Sequence, residues 1–163
     1  MMQQSGSTRL FITVALILVV RAGCAAEQVL SEPGAGTLVV PDNVSEITVE
    51  LWGGGGRGGS RQSPGAAGGG GGGGYVSETF QVNPGETYEY QVGAGSSSGE
   101  AGESSFLRGV AGDVEAFGGE SVPLDDDEGA VGGSGSGAEV YQGGTGGSGE
   151  TGGFLETDRQ AGG

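Results

Sequence analysis

The side chains best suited to ligand binding in this chain surround one glycine-rich stretch, residues 53–74. Trp52 immediately precedes this stretch and Tyr75 immediately follows it, while Arg57 and Arg61 lie within it. Aromatic rings offer large flat contact surfaces with a polar tip, and guanidinium groups form directed hydrogen bonds to anionic groups. These four residues are therefore the candidate ligand contacts, with a surface receptor or a glycan as the ligand.

Each of the four also has a purely structural interpretation. Trp52 lies on the polar side of its predicted strand, so its ring either forms a stacking platform with Tyr75 or covers the glycine layer, which has no side chains of its own. Arg57 and Arg61 are either ligand contacts or internal ion-pair partners in an acidic neighbourhood. The sequence alone leaves both alternatives open.

A second group of candidate ligands is the run of four acidic residues Asp125, Asp126, Asp127 and Glu128. Carboxylate oxygens on a flexible loop suit Ca²⁺, but the alternating acidic positions and central glycine of an EF-hand loop are absent. A solvated acidic loop is the simpler interpretation. Calcium is the one cofactor for which the sequence offers ligands, and no other cofactor is predicted.

Enzymatic function is disfavoured by what the composition lacks. The chain has no histidine and no lysine, which excludes a histidine base and the lysine of a Walker-type phosphate loop. With 41 glycines in 163 residues, chance GxGxxG-like spacings are unavoidable, and none opens a helix after a strand. With so many carboxylates, a catalytic carboxylate pair of the glycosidase type is formally possible, but nothing in the sequence singles out one pair. We expect a non-enzymatic protein.

The charge balance restricts the possible partners. The formal net charge is −15, with 21 acidic residues against six arginines. Such a surface repels nucleic acid and anionic membranes, so neither is a predicted partner. It suits association with cations or a salty medium. The predicted partner is an extracellular or cell-surface polymer or protein, with a glycan among the options.

Residues 1–26 are typical of an export signal. Arg9 precedes an apolar run of about eleven residues, too short to span a bilayer, and small residues follow up to a cleavage position after Ala26. An uncleaved anchor is one alternative. Another is a lipoprotein in which Cys24, the only cysteine, is acylated and tethers the chain to a membrane. We expect a secreted protein, and Asn43 begins a weak N-glycosylation sequon.

The pattern after the leader is that of a β protein with no helix. Residues 27–36 are expected to be a linker and residues 37–120 a glycine-rich β domain. Residues 45–52 alternate apolar and polar side chains, as in a half-buried antiparallel strand. The strands at 75–82 and 87–92 flank an Asn-Pro-Gly-Glu turn, which predicts a hairpin. Glu78 interrupts the apolar face of its strand, which indicates a bulge or an edge position.

Residues 121–163 form a distinct acidic, glycine-rich tail. From Gly143 to Phe154 glycine recurs with a period of three, the repeat of a polyglycine-II helix. Several such helices can pack closely through backbone hydrogen bonds, whereas a flexible glycine–serine tail is the equally weighted alternative. The whole chain thus predicts a small antiparallel β-sandwich, jelly-roll-like, with long glycine-rich loops and either packed or flexible glycine repeats.

The order of features from Thr37 to Gly119 resembles the glycine-rich domain of phage tail-fibre and tail-adhesin proteins and of some bacterial exported proteins. The resemblance is carried by strand residues 47–51 leading into Trp-Gly-Gly-Gly-Gly, by the glycine block before Tyr75-Val76, and by Val92-Gly93-Ala94-Gly95. It implies a β-structured base carrying packed polyglycine-II helices whose connecting loops bind receptors, and it implies no enzyme.

These observations together predict a secreted structural or adhesion module that binds a surface partner through its glycine-rich loops. The alternative is a largely disordered acidic matrix or coat protein that associates with cations. Fold likeness alone does not decide between them, because one fold can serve many functions.

Overall fold

A computed structural model describes residues 8–14, 17–21 and 24–150, and these residues form strands, turns and loops with no helix. The all-β prediction is therefore confirmed. No helix long and apolar enough to cross a membrane occurs in the described part of the chain. The strands are β1 (Thr8–Val14), β2 (Ile17–Arg21), β3 (Cys24–Val29), β4 (Gly34–Val39), β5 (Val44–Trp52), β6 (Tyr75–Gln81), β7 (Thr87–Val92), β8 (Ser105–Gly109), β9 (Gly112–Ala116), β10 (Gly135–Ser136) and β11 (Glu139–Tyr141).

The strands form two sheets. One has the order β11-β6-β5-β1-β3-β2 and the other the order β10-β9-β8-β7-β4. All pairs among β4 to β11 are antiparallel, as predicted, and β1 alone pairs in parallel, with β3 and β5. Side chains from both sheets meet in a single core, as in a sandwich.

The core is built by strict alternation along the strands. In β5, Ile47, Val49 and Leu51 are buried, while the residues between them face outward. Each such side chain contributes about 1.5–3 kcal/mol when it is fully removed from water. The other members of this one cluster come from both sheets and their connections: Leu38, Val40, Val44, Val76, Phe80, Val82, Tyr88, Val92, Leu107, Val114 and Ala116.

The predicted hairpin around the Asn-Pro-Gly-Glu turn is wrong. The turn exists, with the Glu86 amide donating to the Asn83 carbonyl at 3.2 Å, but β6 and β7 lie in different sheets. The turn is tied to the end of β4, where Val40 and Glu86 share a backbone hydrogen bond of 2.8 Å. Both strands are apolar on one face, so crossing between the sheets lets both faces cover the same core. Strand pattern alone does not separate this corner from a hairpin.

The irregularity predicted at Glu78 is an edge position and not a bulge. The β5–β6 register is regular from Glu46–Gln81 to Trp52–Tyr75. On its other side β6 pairs with β11 only as far as Ser77, so Glu78 lies just beyond the end of β11. A half-buried carboxylate is tolerated there because the neighbouring edge is open.

The predicted leader and linker also contain strands. β1 and β2 lie within residues 1–26, where the described backbone is extended and not helical, in keeping with the β-branched residues of these segments. β3 and β4 extend into residues 27–36 from either side. Export and removal of the leader stay predictions.

A bundle of glycine segments continues from the ends of the strands, and residues 68–74 form its centre. Their hydrogen bonds recur every third residue, which is the repeat of polyglycine II. The amides of Gly68, Gly71 and Gly74 donate to Asp126, Glu120 and Phe117 at 3.1, 2.9 and 2.9 Å. The carbonyls of the same three glycines accept from Gly59, Gly56 and Gly53 at 2.8, 2.8 and 2.9 Å.

The described part of the predicted tail belongs to this bundle. The amides of Gly69 and Gly72 donate to Gly147 and Gly144, both at 2.8 Å. The amides of Gly143, Gly146 and Gly149 donate in turn to Gly133, Ala130 and Asp127 at 2.8, 2.9 and 2.7 Å. Residues 126–133 and 143–149 are therefore packed through their backbone in the polyglycine-II manner. The segment between them supplies β10 and β11, two strands that sequence reasoning missed. Residues 151–163 lie outside the described residues.

Glycine is required in the bundle because neighbouring backbones come too close for a Cβ atom. The glycines of residues 68–74 are not among those with positive φ, so turn conformation is not the reason. A Cβ at Gly71 would lie 2.5 Å from the Val131 carbonyl carbon, and one at Gly70 would lie 2.6 Å from the Gly56 carbonyl carbon. Real Cβ contacts below 3.0 Å essentially never occur.

Two adjacent glycines test this packing directly. A Cβ at Gly143 would lie 2.5 Å from the Gly72 carbonyl carbon, whereas one at Gly144 would meet nothing within 4 Å. We expect Gly143→Ala to lower the free energy of unfolding by about 1–3 kcal/mol through overpacking. Gly144→Ala should leave it unchanged or raise it by about 0.4–1 kcal/mol, because alanine restricts the unfolded chain. Denaturant titration measures both, and equal effects of the two substitutions would contradict the packed bundle.

Candidate functional site

Three aromatic rings lie side by side across the outer face of the six-stranded sheet, where its strands run into the glycine bundle. Trp52 ends β5, Tyr75 begins β6 and Tyr141 ends β11. The register places Trp52 opposite Tyr75, and Tyr75 opposite Tyr141. The ring centroids are 4.9 Å apart for Trp52 and Tyr75, and 5.8 Å apart for Tyr75 and Tyr141. These three residues are called the aromatic row below.

The aromatic row is accessible to a ligand. Trp52 is 39% exposed and Tyr141 63% exposed, and Tyr75 lies half-buried between them. Neighbouring rings are tilted by 54° and 45°, which lets the positive edge of one ring approach the face of the next. The Trp52 ring packs against Tyr75, which is the arrangement that the stacking-platform interpretation of Trp52 requires.

A second row of side chains runs beside the first, one pleat further along the same strands. The register pairs Glu50 of β5 with Ser77 of β6, and Ser77 with Glu139 of β11. Side chains two residues apart on a strand share a face, so these three lie on the same outer face as the rings. They are called the acidic row below. The two rows are linked by the Tyr75 hydroxyl, which donates to Glu50 Oε1 at 2.9 Å.

The acidic row changes the chemistry of the central ring. Burial raises the pKa of the Tyr75 hydroxyl, and the hydrogen bond to Glu50 and the charges of Glu50 and Glu139 raise it further. A hydrogen bond with Ser77 acts in the opposite direction. The carboxylates are thus close enough to create a negative potential at the surface of the rings.

One buried hydroxyl holds the backbone at the base of the aromatic row. Ser105 is fully buried; its Oγ donates to the Trp52 carbonyl at 2.6 Å and accepts from the Gly93 amide at 2.9 Å. It therefore joins the end of β5, the end of β7 and the start of β8 at the point where each strand meets the glycine bundle. The position of Trp52 is set by this bond as well as by the sheet register.

The aromatic residues on the other sheet are less available. The Phe106 ring is covered by the Arg108 guanidinium, whose carbon lies 4.0 Å from the ring centroid. Arg108 is itself paired with Glu115 at 2.8 Å. Tyr90 packs partly against the core. The aromatic row of the six-stranded sheet is consequently the better candidate for ligand binding.

Arg61 is held by contacts to Asp125 and within its own loop. Its Nη2 donates to the Asp125 carbonyl at 2.9 Å, and its Nε lies 3.9 Å from Asp125 Oδ1. The same Oδ1 accepts from the Gln62 amide at 2.9 Å and from the Ser63 hydroxyl at 2.9 Å. Of the two interpretations offered by the sequence, the structure favours the internal ion pair for Arg61.

Arg57 is held in the glycine bundle. Its amide donates to Ser121 Oγ at 2.7 Å, and its carbonyl accepts from the Val122 amide at 3.0 Å. Its Nε is buried and has no hydrogen-bond partner among the described residues. The four residues predicted as ligand contacts therefore do not converge: Trp52 and Tyr75 meet, whereas Arg57 and Arg61 lie elsewhere.

The acidic run does not gather into a metal centre. Asp125 Oδ1 is occupied by hydrogen bonds from Gln62 and Ser63, and Asp126 Oδ1 accepts from the Glu128 amide at 3.0 Å. No group of three or more carboxylate, thiol or imidazole side chains that could hold a metal ion occurs in the part of the chain that the structure describes. Binding of Ca²⁺ by Asp125, Asp126, Asp127 and Glu128 remains a sequence prediction.

The two candidate modification sites, Asn43 and Cys24, lie in a turn and at the start of a strand. Asn43 is exposed, at a φ of 69° in the turn between β4 and β5, a conformation that asparagine adopts readily. Cys24 begins β3. Its acylation and the glycosylation of Asn43 remain predictions.

Sequence reasoning missed Tyr141 and Glu139. Both belong to β11, a strand of three residues within the glycine-rich tail. The sequence signal for this strand is the alternation Glu-Val-Tyr between glycine repeats. In the structure Val140 lies opposite buried Val76. Three residues are too few for a periodicity argument, so only the pairing with β6 identifies the strand.

The link between the two rows predicts how Tyr75 titrates. We expect its pKa to lie above that of an ordinary tyrosine and to fall part of the way back in Glu50→Gln, because burial remains. Since the folded pKa is raised, this group stabilises the fold below about pH 10 and the contribution is lost as the pH rises through the folded pKa. NMR titration of labelled tyrosine rings measures the shift. Glu86→Gln is the matched control: it should lower the pKa of Tyr88, whose hydroxyl lies 3.2 Å from Glu86, and leave Tyr75 unchanged.

The hydrogen bonds and ion pair that Asp125 makes with residues 61–63, called the loop clasp below, predict acid sensitivity. Hydrogen bonds from the Gln62 amide and from Ser63, together with the charge of Arg61, lower the pKa of the Asp125 carboxyl. Because the folded pKa lies below the unfolded value of about 3.9, its contribution is present above that pH and lost as the pH falls through the folded pKa. We expect Asp125→Asn to lower the urea midpoint near neutral pH, with the gap to the unsubstituted chain closing below about pH 4. Asp127→Asn is the control, and a gap independent of pH would refute the clasp.

Comparisons with known proteins give one finding. Searches of the curated proteins and of the solved structures returned no match to this chain. A scan against protein-family models matched the family described as "Glycine-rich domain" over residues 31–163. The matched residues include the strands that carry both rows and all the described glycine segments. Because the match covers well over half of its length, the chain belongs to this glycine-rich domain family.

Proposed function

We propose that this chain is an exported, non-enzymatic adhesion module that binds a surface glycan on its aromatic row. The observation that carries the proposal is the exposed row of Trp52, Tyr75 and Tyr141 at the border of the glycine bundle. Pyranose rings present flat apolar faces and a hydroxyl rim. A row of rings beside carboxylate and hydroxyl groups complements both features.

Rigidity of the scaffold supports this role. The three rings come from three adjacent strands in fixed register, and Ser105 holds the carbonyl of Trp52. The bundle behind them is joined by backbone hydrogen bonds in several directions. A platform that is ordered before binding loses little conformational entropy on binding, which favours affinity for a repetitive polymer.

The location of the proposed site refines the expectation from the sequence. Binding was expected through the glycine-rich loops, with Trp52 and Tyr75 among the contacts. In the proposal the glycine bundle positions the row, and the rings make the contacts. Arg57 and Arg61 are left out of the site because they lie in the bundle and its loops.

A glycan array probed with the purified chain tests the proposal. We expect binding to a subset of glycans, and a loss of at least about fivefold in affinity for Trp52→Ala and for Tyr141→Ala, as is typical of central aromatic contacts. Phe117→Ala is the matched control, because Phe117 is an aromatic residue of similar exposure, 43%, outside the row. Binding that survives both row substitutions, or that is lost equally with Phe117→Ala, would reject the site.

The alternative of a largely disordered acidic matrix protein is separable by far-UV circular dichroism with and without Ca²⁺. The adhesion module predicts a β signal in both states. A disordered chain predicts no β signal, and a cation-organised chain predicts one only with the ion.

A further inference from the structure

The predicted leader and the sandwich meet along the outer edge of β5, the edge that faces away from β6. We infer that removal of the leader opens this edge to an extended strand of another polypeptide, which takes the place of β1 in the six-stranded sheet. The inference rests on the export in the proposed function and is independent of glycan binding. The partner is defined by its chemistry: an extended segment of the length of β1, seven residues, with apolar side chains at alternate positions.

The strands of the six-stranded sheet come from two different parts of the chain. β11, β6 and β5 lie within residues 31–163, the range that the family model matches, whereas β1 and β2 lie within the predicted leader. β3 spans the predicted cleavage position after Ala26, and both of its sheet neighbours, β1 and β2, belong to the leader. The leaderless chain, residues 27–163, therefore keeps three strands in this sheet, with β5 at its edge, opposite a sheet of five strands.

The five-stranded sheet extends past β5. Across the core β6 contacts β9 and β5 contacts β8 and β9, while β7 and β4 continue beyond β8 on the side where β1 lies. β4 and β7 contribute Leu38, Tyr88 and Val92 to the buried core. In the leaderless chain this apolar face reaches beyond the three-stranded sheet by two strands, β7 and β4. An added strand whose inward side chains are apolar would cover it.

The hydrogen bonds of β5 show which backbone groups face its outer edge. The Ser45 carbonyl accepts from the Val82 amide at 2.9 Å and the Gly53 amide donates to the Gly74 carbonyl at 2.9 Å, so the odd-numbered residues bond to β6. Successive residues of a strand direct their N–H and C=O groups to opposite sides. The even-numbered residues within 46–50 therefore direct theirs toward β1. Such a row of backbone groups is a template for pairing once its partner strand is gone.

β1 indicates which kind of strand this edge accepts. Residues 9–14 pair in parallel with residues 46–51 in unbroken register. Apolar residues at alternate positions of β1 fall opposite the buried residues of β5: Leu10 opposite Ile47, Ile12 opposite Val49 and Val14 opposite Leu51. A partner strand with the same alternation would continue the core face of the sheet, and its backbone would supply the hydrogen bonds that β1 takes away.

A second copy of the chain fits this edge poorly. Two β5 strands paired edge to edge, with their apolar faces on the same side, would bring β7 and β4 of each copy into the layer that the five-stranded sheet of the other copy occupies. A single extended segment brings no second sheet with it. The edge is therefore suited to strand addition by an extended segment of a partner protein.

A peptide with the sequence of β1 is the probe for this edge. A fluorescein-labelled peptide of residues 8–14, with a Gly-Ser tail for solubility, is titrated into the leaderless chain and into the full chain. We expect saturable binding to the leaderless chain and at least about tenfold weaker binding to the full chain, where the covalently linked β1 competes for the edge. A scrambled peptide of the same composition, with its apolar residues contiguous, should bind neither.

Two threonines that lie opposite each other on β5 and β6 assign the binding to this edge. Thr48 and Thr79 are register partners whose hydroxyl oxygens lie 3.0 Å apart, so replacing either one removes the same side-chain hydrogen bond. The Thr48 amide faces the outer edge of β5, whereas the Thr79 amide donates to Glu78 Oε1 at 3.1 Å on the far side of β6. We expect Thr48→Pro to weaken peptide binding to the leaderless chain at least about tenfold, and Thr79→Pro to leave it unchanged.

Hydrogen exchange gives a second readout that needs no substitution. In the leaderless chain we expect the Thr48 amide to exchange quickly and the Val49 amide, which faces β6, to stay protected. Bound peptide should slow exchange at Thr48 by at least about tenfold and leave Val49 little changed. The full chain should protect both amides.

Several results would overturn strand addition at β5. These are no binding of the β1 peptide, equal binding of the scrambled peptide, and binding that Thr48→Pro leaves intact. If the leaderless chain alone has no β signal in circular dichroism, a signal restored by the peptide supports the inference, and a signal that stays absent overturns it. A dimer of the leaderless chain that Thr48→Pro abolishes would assign the edge to a second copy, and the inferred partner would be wrong.

The proposed function is tested separately. The mass of the exported protein reports whether residues 1–26 are removed, and a retained leader would overturn the inference because β1 would keep the edge. Absence of glycan binding on the array, with peptide binding intact, would reject the aromatic row as a glycan site and leave strand addition standing.

Discussion

Close approach of one backbone to another is the constraint on which the rest of this structure depends. In the glycine bundle, carbonyl groups of one segment occupy the space that a Cβ of its neighbour would need. Hydrogen bonds at every third residue then replace the side-chain contacts of an ordinary core. Glycine loses more conformational freedom on ordering than any other residue, so these bonds must be formed together to hold the bundle.

The bundle and the sandwich depend on each other at the strand ends. The sandwich supplies the apolar burial that the bundle lacks, and the bundle fixes where β5 and β9 end and where β6 and β8 begin. Ser105 stands at this border, bonded to the backbone of Trp52 and Gly93. Because glycine offers no side chains, the side chains available for recognition are those of the last strand residues and of the connecting loops. The aromatic row is built from such strand ends.

Much of the sandwich was predictable from the sequence, because its strands alternate clearly. The strands at 45–52, 75–82 and 87–92 were placed within a residue or two of β5, β6 and β7. The predicted hairpin failed because alternation reports which face of a strand is buried and not which strand is its neighbour. The next strand along the chain can pair with its predecessor in the same sheet, or it can cross to the opposite sheet. In both cases its apolar face covers the same core, so both arrangements give the same pattern. Tyr141 and Glu139 were missed for a related reason: they lie on β11, which is too short to show a period.

The sequence by itself determined the composition of the parts: an all-β chain, an acidic surface, aromatic residues at both ends of the glycine stretch, and a glycine period of three that permits close backbone packing. These follow from local properties, namely side-chain alternation, charge and the absence of Cβ atoms. Only the tertiary structure decided which parts meet. It packed residues 121–150 against residues 53–74, brought Tyr141 beside Tyr75, set Glu50 and Glu139 on either side of Ser77, and removed Arg57 and Arg61 from the site. Backbone hydrogen bonds between distant segments made these choices, and such bonds leave no trace in side-chain identity beyond the requirement for glycine.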